Sequence, residues 1–496
     1  MAAYNITTEA QLRAIVSGDV VTLTNDITVA GGWNSLEVNN VTLHGDCHSI
    51  RGLDAPLFGS ADLLGSENIS VDKLTIYVSF TRNFDFTTLA YGGFMTTANN
   101  AAITACSVHA NINAAIMNVG GIAGYLQGST VTDCFVYGSV NGMVESGCST
   151  GGIAGVAANS TIRSCVNQAA ITGVGGPAGI VSSLVNSTIE DCQNAPSAAI
   201  TVKPAFMNPA PGVFTGFGVA GGIVSSCGFS CAITGNINFA DIVSIPSDSA
   251  TALDGSTIIA GGIAAAVEPD EEYEDDGITI SSNKNYGSIT ISAAGTNPLT
   301  LHTAGGVVGA VQNGTVTVSG NSSCGTISAG GFGVNFAGGI IGDTWSPSVV
   351  ISNNYAGGLS ISGSNGVHRI LGASGNGSPV ALTNNSAFAD TRLTGTNALT
   401  FAPDNSAYSN QAVAAGDPQV GANRWHGAST ASNADCGAEA PRTEPPCDND
   451  GTDPGPDPNP NPNPSAFICC CDCGACAYWN YLASCYCGRR TPRGIW

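Results

Sequence analysis

The chain is expected to be all-β, a right-handed parallel β-helix, and three features of its 496 residues lead there. An aliphatic residue is repeatedly followed three positions later by Cys, Asn or Leu; a Gly-rich strand precedes each such pair at fixed distance; and the composition disfavours helix. The pairs are Val71/Leu74, Ile103/Cys106, Val131/Cys134, Ile162/Cys165, Ile189/Cys192, Ile280/Asn283, Val318/Asn321, Ile351/Asn354 and Leu382/Asn385, with Cys231 read as the start of a truncated tenth unit. Each unit is too small to bury its own apolar face, so units must stack.

A three-residue step puts two apolar side chains on opposite faces of a straight strand, so both reach one core only if the chain turns a corner between them. After the corner, period two resumes. From Cys106 the inward positions are Val108, Ala110 and Ile112, and from Cys134 they are Val136, Gly138 and Val140. From Cys165 they end at Ile171, and the same six-residue step from Asn283 and Asn321 reaches Ile289 and Ile327. The preceding marker is Gly92-Gly93-Phe94, Gly120-Gly121-Ile122, Gly151-Gly152-Ile153 and Ala178-Gly179-Ile180, each starting 14 residues before its Cys. Cys106, Cys134, Cys165 and Cys192 should therefore form one buried column, continued by Asn283, Asn321, Asn354 and Asn385 as a hydrogen-bonded ladder at the corner. Successive thiol units start 28, 31 and 27 residues apart, which suits a coil of three short strands. With 65 Gly and only 14 Lys plus Arg, the chain lacks the texture of helices. About ten coils at roughly 4.8 Å each make a rod on the order of 50 Å long.

Four regions follow from these patterns. Residues 1–60 form the entry: Thr7-Thr8-Glu9-Ala10-Gln11-Leu12-Arg13 offers a Thr cap and a short amphipathic run that would cover the end of the first coil. Residues 61–395 hold the repeats. Residues 396–465 are irregular and end in a Pro-rich spacer, Asp453 to Pro464, extended and semi-rigid. Residues 466–496 form a small tail with Cys469, Cys470, Cys471, Cys473, Cys476, Cys485 and Cys487. Thirty residues cannot build a self-sufficient core, so cross-links or a metal are the expected substitute. The tail spacings are compatible with disulfide or intermolecular cross-linking, with zinc, or with lipid attachment, and those alternatives stay open here.

The string Gly45-Asp46-Cys47-His48-Ser49-Ile50-Arg51-Gly52 resembles the first-coil turn of pectin-lyase-like right-handed β-helices, and the Gly-Gly-Ile-Ala-Gly units followed by Cys are similar to GLUG-motif repeats of bacterial surface adhesins. The resemblance spans roughly residues 20–395. It implies the fold and an adhesin-like role.

Net charge is −22, and Lys73, Lys203 and Lys284 are the only lysines, so duplex nucleic acid or an anionic membrane would be repelled. No apolar run is long enough for a transmembrane helix. Met1-Ala2-Ala3-Tyr4 leads straight into the capping segment, so no signal peptide is visible; an extracellular or particle-surface destination is expected from the low charge, the Thr/Ser/Asn content and the Cys-rich tail.

Enzyme chemistry on this fold needs converging carboxylates, with a base or a metal. Asp133 and Asp191 hold equivalent places before Cys134 and Cys192, with Glu190 beside the second, but Ser164 intervenes and the arrangement reads as a solvated corner. Arg163, Arg369 and Arg392 read as isolated. The acidic run 268–277 puts a calcium site at Asp270, Glu272, Asp275 and Asp276 within consideration, though it lacks EF-hand spacing and a charged surface loop explains it. The sequons at Asn68, Asn159 and Asn186 are expected by chance in so Asn/Ser/Thr-rich a chain.

The sequence reading is a non-catalytic, surface-displayed solenoid, without a cofactor, whose inserted loops near 203–220, 240–257 and 268–277 contact a protein or glycan ligand or copies of itself, and which is attached through its tail. Its alternatives are a carbohydrate-active enzyme with a flank cleft, and a self-assembling fibre or coat subunit.

Overall fold

A computed structural model describes residues 3–395, apart from 60–64, 84–88, 145–146, 211–212, 246–254, 269–276, 293–300, 332, 347, 358–359, 375–379, 384 and 389–391, together with 424–426 and 442. The Pro-rich spacer, the seven tail cysteines and the calcium candidates Asp270, Glu272, Asp275 and Asp276 lie outside the described residues.

The chain is a β-solenoid of stacked parallel strands. One coil, followed from Ile103, runs through four sheets rather than the three strands expected. Sheet 1 holds Ala102–Thr104, sheet 2 Ser107–Ala114, sheet 3 Asn118–Gly120 and sheet 4 Ala123–Gln127, after which Thr130–Thr132 re-enters sheet 1 one rung up. Among the described residues sheet 1 has 13 strands and sheet 4 has 10, while sheets 2 and 3 connect into 29. Thirteen rungs at roughly 4.8 Å make a stack of nearly 60 Å.

The corner between sheets 1 and 2 explains the three-residue step. On the described rungs the residue just before the inward Cys or Asn is left-handed, as at Ala105 with φ 54°, Asp133 53°, Ser164 54°, Asp191 54° and Ser282 59°. One left-handed residue redirects the chain, so Ile103 and Cys106 both face the lumen although three apart. The corner between sheets 4 and 1 uses the same device at Asn68, Asn100, Asn159 and Asn186, with φ from 46° to 54°. Asn tolerates this region better than other non-Gly residues. The three sequons thus recur because one exposed corner position selects Asn.

The main core is one continuous apolar cluster from Ile6 to Ala387. The fourth sheet has a cause in the Gly-Gly motif. The chain folds back at Gly120-Gly121, so the outer faces of sheets 3 and 4 meet in a second small cluster of Val219, Ile259, Ala265, Ala266 and Ala310. A Cβ on Gly155 of sheet 4 would touch the Gly124 carbonyl and the Val119 and Ser149 backbone, so only glycine allows that approach.

At the entry, helix α1 (Glu9–Arg13) follows Thr8, whose hydroxyl accepts from Gln11 N at 3.3 Å, and it buries Leu12 in the core. It lies between the first two strands of sheet 1, Ala3–Ile6 and Val20–Leu23.

Two expectations change. Cys231 does not begin the tenth unit: Ile233 pairs with Ile189 and Ile280, so Asn236 takes the corner place, and Cys231 follows Ser129, Ser160 and Ser187 in a different column. The error came from taking Cys as the marker where the aliphatic register decides. Gly138 is not inward; it is exposed, with φ 93°, while Val136 and Val140 are buried as the alternation requires.

Candidate functional site

Cys106, Cys134, Cys165, Cys192, Asn283, Asn321, Asn354 and Asn385 all lie at 1% exposure or less, in one column with Asn236 on the rung between Cys192 and Asn283. The two residue types perform one task there. On each rung the side chain from the next rung adds a hydrogen bond to the carbonyl of the aliphatic residue before the corner. Cys134 Sγ donates to Ile103 O at 3.5 Å and Cys165 Sγ to Val131 O at 3.6 Å. Likewise Asn283 Nδ2 donates to Ile233 O at 2.8 Å and Asn354 Nδ2 to Val318 O at 2.9 Å. The carboxamides also join each other, from Asn283 to Asn321 at 2.9 Å, then to Asn354 at 3.0 Å and Asn385 at 2.9 Å. The thiols are free, and burial pushes those of Cys134, Cys165 and Cys192 well above the ordinary thiol range. This column is architecture.

Sequence reasoning missed a second ladder, Asn167, Asn194, Asn238 and Asn285, linked Nδ2 to Oδ1 at 2.8, 3.0 and 2.8 Å. Its signal was present: each Asn stands two residues after a first-column residue, as in Cys165-Val166-Asn167 and Asn236-Ile237-Asn238.

Insertions of varying length cluster where sheet 2 passes into sheet 3. The register runs unbroken before this corner, through Ile200, Ile242, Ile289, Ile327 and Ile361, and resumes beyond it, through Thr257, Leu301 and Val334. Between, the chain makes excursions of differing length on consecutive rungs. The expected loops near 203–220 and 240–257 both leave here; the first is an antiparallel hairpin, Ala205–Ala210 with Val213–Gly221. The acidic insertion 268–277 leaves from another corner, between sheets 4 and 1. On earlier rungs, near the corner with sheet 1, the outer face of sheet 2 carries a stacked column: Arg51 over Tyr77 at 3.9 Å, Tyr77 on His109 at 4.3 Å, and His109 on Tyr137 at 4.8 Å.

Beneath these excursions three polar side chains converge from successive rungs. Asn335 Nδ2 donates to Ser364 Oγ at 2.7 Å and to Gly331 O at 3.1 Å, so its Oδ1 faces His302 and accepts from Nδ1 at 2.7 Å. The proton therefore sits on Nδ1, and Nε2 is left to accept from the Ser256 hydroxyl at 3.3 Å. Burial holds the His302 pKa below its usual value, against the hydrogen bond that its ring donates to Asn335. A neutral imidazole with its basic nitrogen on a serine hydroxyl is the geometry of a general base beside a nucleophile. Scattered spacing hid it, because Ser256, His302 and Asn335 meet only through register.

The acidic residues come together less than a hydrolase needs. Asp133 and Asp191 sit exposed at left-handed corners. Arg163, read as isolated, donates to Glu190 at 2.7 Å, because the two pair directly across sheet 1. Among the described residues no group of His, Cys, Asp and Glu is arranged to hold a metal ion, and no helix is long and apolar enough to cross a membrane.

No family model matches the chain, and no curated protein matches it. Solved structures similar to the chain include the following two. One, from Bacteroides ovatus, is provisionally named an immunoglobulin A1 protease; it shares 16% identity at a TM-score of 0.29, over 58% of this chain and 76% of its own. The other, named IgA1 protease, shares 13% identity at 0.31, over 71% of this chain and 21% of its own, so the matched region is about a fifth of that protein. Both names are those of proteases, and the expectation of a non-enzymatic chain is withdrawn. At TM-scores this low the likeness goes no further.

Proposed function

We propose that the chain is a stiff extracellular or particle-surface solenoid that presents the excursions at the corner between sheets 2 and 3 to a glycan or protein partner. The observation that carries this reading is that the excursions vary on consecutive rungs while the strands on both sides keep register. Such a surface can change without disturbing the stack beneath it. The adhesin-like repeat resemblance, the aromatic column on the outer face of sheet 2 and the disulfide-bonded state of Cys47 and Cys324 support a surface setting. Attachment through the Cys-rich tail belongs to the same proposal.

Replacing residues 246–254 and 293–300 with Gly/Ser linkers of equal length tests it on an array of acidic and neutral glycans and on a mucin-coated surface. The parent chain is expected to bind and the replaced chain to lose at least tenfold in affinity with an unchanged melting temperature. Equal binding by both overturns the reading.

A second reading rests on Ser256, His302 and Asn335: hydrolysis by acyl transfer at this corner. A fluorophosphonate probe should label Ser256 of the native chain, and the label should vanish in Ser256→Ala and fall in His302→Gln. An unlabelled native chain overturns it.

A further inference from the structure

We propose that the outer face of sheet 2, on its three longest rungs, is a binding platform for a neutral glycan chain. The strands Thr75–Arg82, Ser107–Ala114 and Phe135–Gly142 pair at all eight positions. Beyond them the sheet breaks up, since Val166–Asn167 and Gln193–Asn194 are separate two-residue strands. The unbroken part measures roughly 26 Å along the strands, and its three rungs span about 10 Å. It lies on earlier rungs than the excursions 203–220 and 240–257 and does not rest on them.

Side-chain chemistry selects the occupant. The outward residues of these strands include no carboxylate, in a chain of net charge −22, and no exposed large apolar side chain. A protein interface is anchored by buried aromatic or aliphatic groups, and a polyanion would meet the repulsion of the whole chain. What the face offers instead is hydroxyls, carboxamides and ring edges, which suit an uncharged, polyhydroxylated ligand.

Two sets of side chains running along the rod make the site. The first is the stack of Tyr77, His109 and Tyr137. Neighbouring ring planes differ by only 6° and 13°, so the faces turn to each other and the edges turn outward. Ring edges carry partial positive charge and attract hydroxyl oxygens. The cation at the end of the stack, Arg51, is held on the Tyr77 face. Nearer the sheet 1 corner the outward position is closed, with Ser107 and Phe135 each 4% exposed, so the platform begins at the rings.

The second set stands further along each strand. Asn111 Nδ2 donates to Ser79 Oγ at 3.1 Å, and Ser139 Oγ donates to Asn111 Oδ1 at 3.4 Å. Two residues on, Asn141 Nδ2 donates to Asn113 Oδ1 at 2.8 Å. These bonds fix the carboxamide planes without exhausting them, because each Asn has two donor hydrogens and two acceptor lone pairs. Among the described residues nothing donates to Asn141 Oδ1, and Ser79 and Asn111 are exposed. Short side chains beside tall rings make a step. A sugar seated in it meets ring edges on one side and oriented carboxamides on the other, and groups already ordered lose little entropy on binding.

The test is calorimetric titration of the full-length chain with neutral oligosaccharides of cellulose, xylan, mannan and chitin, and with oligogalacturonate as the acidic arm. At least one neutral oligosaccharide should bind. Asn111→Ala combined with Asn141→Ala should weaken it by about tenfold or more, the size of one or two lost hydrogen bonds, with an unchanged melting temperature. Thr130→Ala combined with Thr132→Ala, on the neighbouring face of sheet 1, is the control and should bind as the parent does. The chain with 246–254 and 293–300 replaced should also bind as the parent does, which separates this platform from the corner. A second readout needs no variant: the side-chain amide resonances of Asn111 and Asn141 should shift as the oligosaccharide is added. Binding of none of the four, binding unchanged in the Asn double variant, tighter binding of oligogalacturonate, loss confined to the loop-replaced chain, or unmoved Asn resonances at saturation overturns the proposal.

Discussion

The backbone N–H of Cys192 donates to Asn236 Oδ1 at 2.8 Å, and this bond joins the thiol column to the carboxamide column. One rung earlier, Cys165 N donates to Cys192 Sγ at 3.4 Å in the same place. Sulfur and carboxamide are thus alternative solutions to one corner. They differ in strength, since a thiol is a weak donor and acceptor while Asn bonds up and down the stack.

Asn283→Ala should therefore cost far more than Cys165→Ala. The first removes a side-chain donor from Ile233 O and leaves both Asn236 N and Asn236 Nδ2 without their Asn283 acceptor, all buried. At about 1–3 kcal/mol for each unsatisfied group, with partial relaxation, a loss of about 3–5 kcal/mol is expected. Cys165→Ala loses weak bonds and little volume, at about 1–2 kcal/mol. Chemical denaturation of the two variants reads the difference, and equal effects would refute the assigned role of the ladder.

How much of this was legible in the sequence follows from which forces act locally. The Ile103/Cys106 step could be read because a corner has to place two residues inward whatever surrounds it. The Gly-Gly marker could be located but not understood, since its cause is a neighbouring coil: a Cβ on Gly152 would overlap the carboxamide of Asn167. Asn236 was missed because Cys231 offered a decoy five residues earlier, and only pairing of Ile233 with Ile189 rejects it. Ser256, His302 and Asn335 were invisible for the same reason, as separations of 46 and 33 residues carry no local signal.

Buried thiols should be silent until the rod opens. Desolvation raises Cys134, Cys165 and Cys192 well above the usual thiol range, and Cys231 to about 11. Iodoacetamide at pH 8 should leave all four unmodified in the native chain and label all four in denaturant. The sign of the linkage follows from raised folded values: their stabilisation is complete below the unfolded thiol pKa of about 8.5 and is lost as pH rises through the folded values. Labelling of Cys165 in the native state at a rate near that of a free thiol would contradict the buried column.

Gly152→Ala tests the contact between the Gly marker and the second Asn ladder. The added methyl meets the Gly179 carbonyl and the Asn167 carboxamide, neither of which can retreat without breaking rung bonds. A loss of about 3 kcal/mol or more is expected, at the upper end for overpacking. Gly330→Ala is the control, because its nearest neighbour is Ile291 O at 3.6 Å, an ordinary contact, and it should fall within about 0.5 kcal/mol of the parent. Chemical denaturation of both variants decides, and similar midpoints would show that the glycines mark chain reversal alone.

The last coils contain two buried ionisable groups whose pH dependences oppose each other. Burial raises Asp343 to about 6, against the hydrogen bond it accepts from Trp345 Nε1 at 2.5 Å. A carboxyl with a raised folded pKa gives its full stability below the unfolded value near 3.9 and loses it as pH rises through about 6. His368 is lowered to about 4, first by burial and then by the Arg369 charge. A histidine lowered in the folded state gives its full stability above about 6.5 and loses it as pH falls toward the folded value. Each shift is worth about 3 kcal/mol, so between pH 4 and 6 the two nearly cancel. Asp343→Asn keeps an acceptor for Trp345 and removes one limb. Its stability should exceed that of the parent by up to about 3 kcal/mol at pH 7.5 and match it at pH 3.5, leaving a positive slope from pH 4 to 6.5 that belongs to the histidine. Denaturant titrations of parent and variant across this range measure the slope, and an advantage of equal size at both ends of it would show that the gain comes from packing rather than from ionisation.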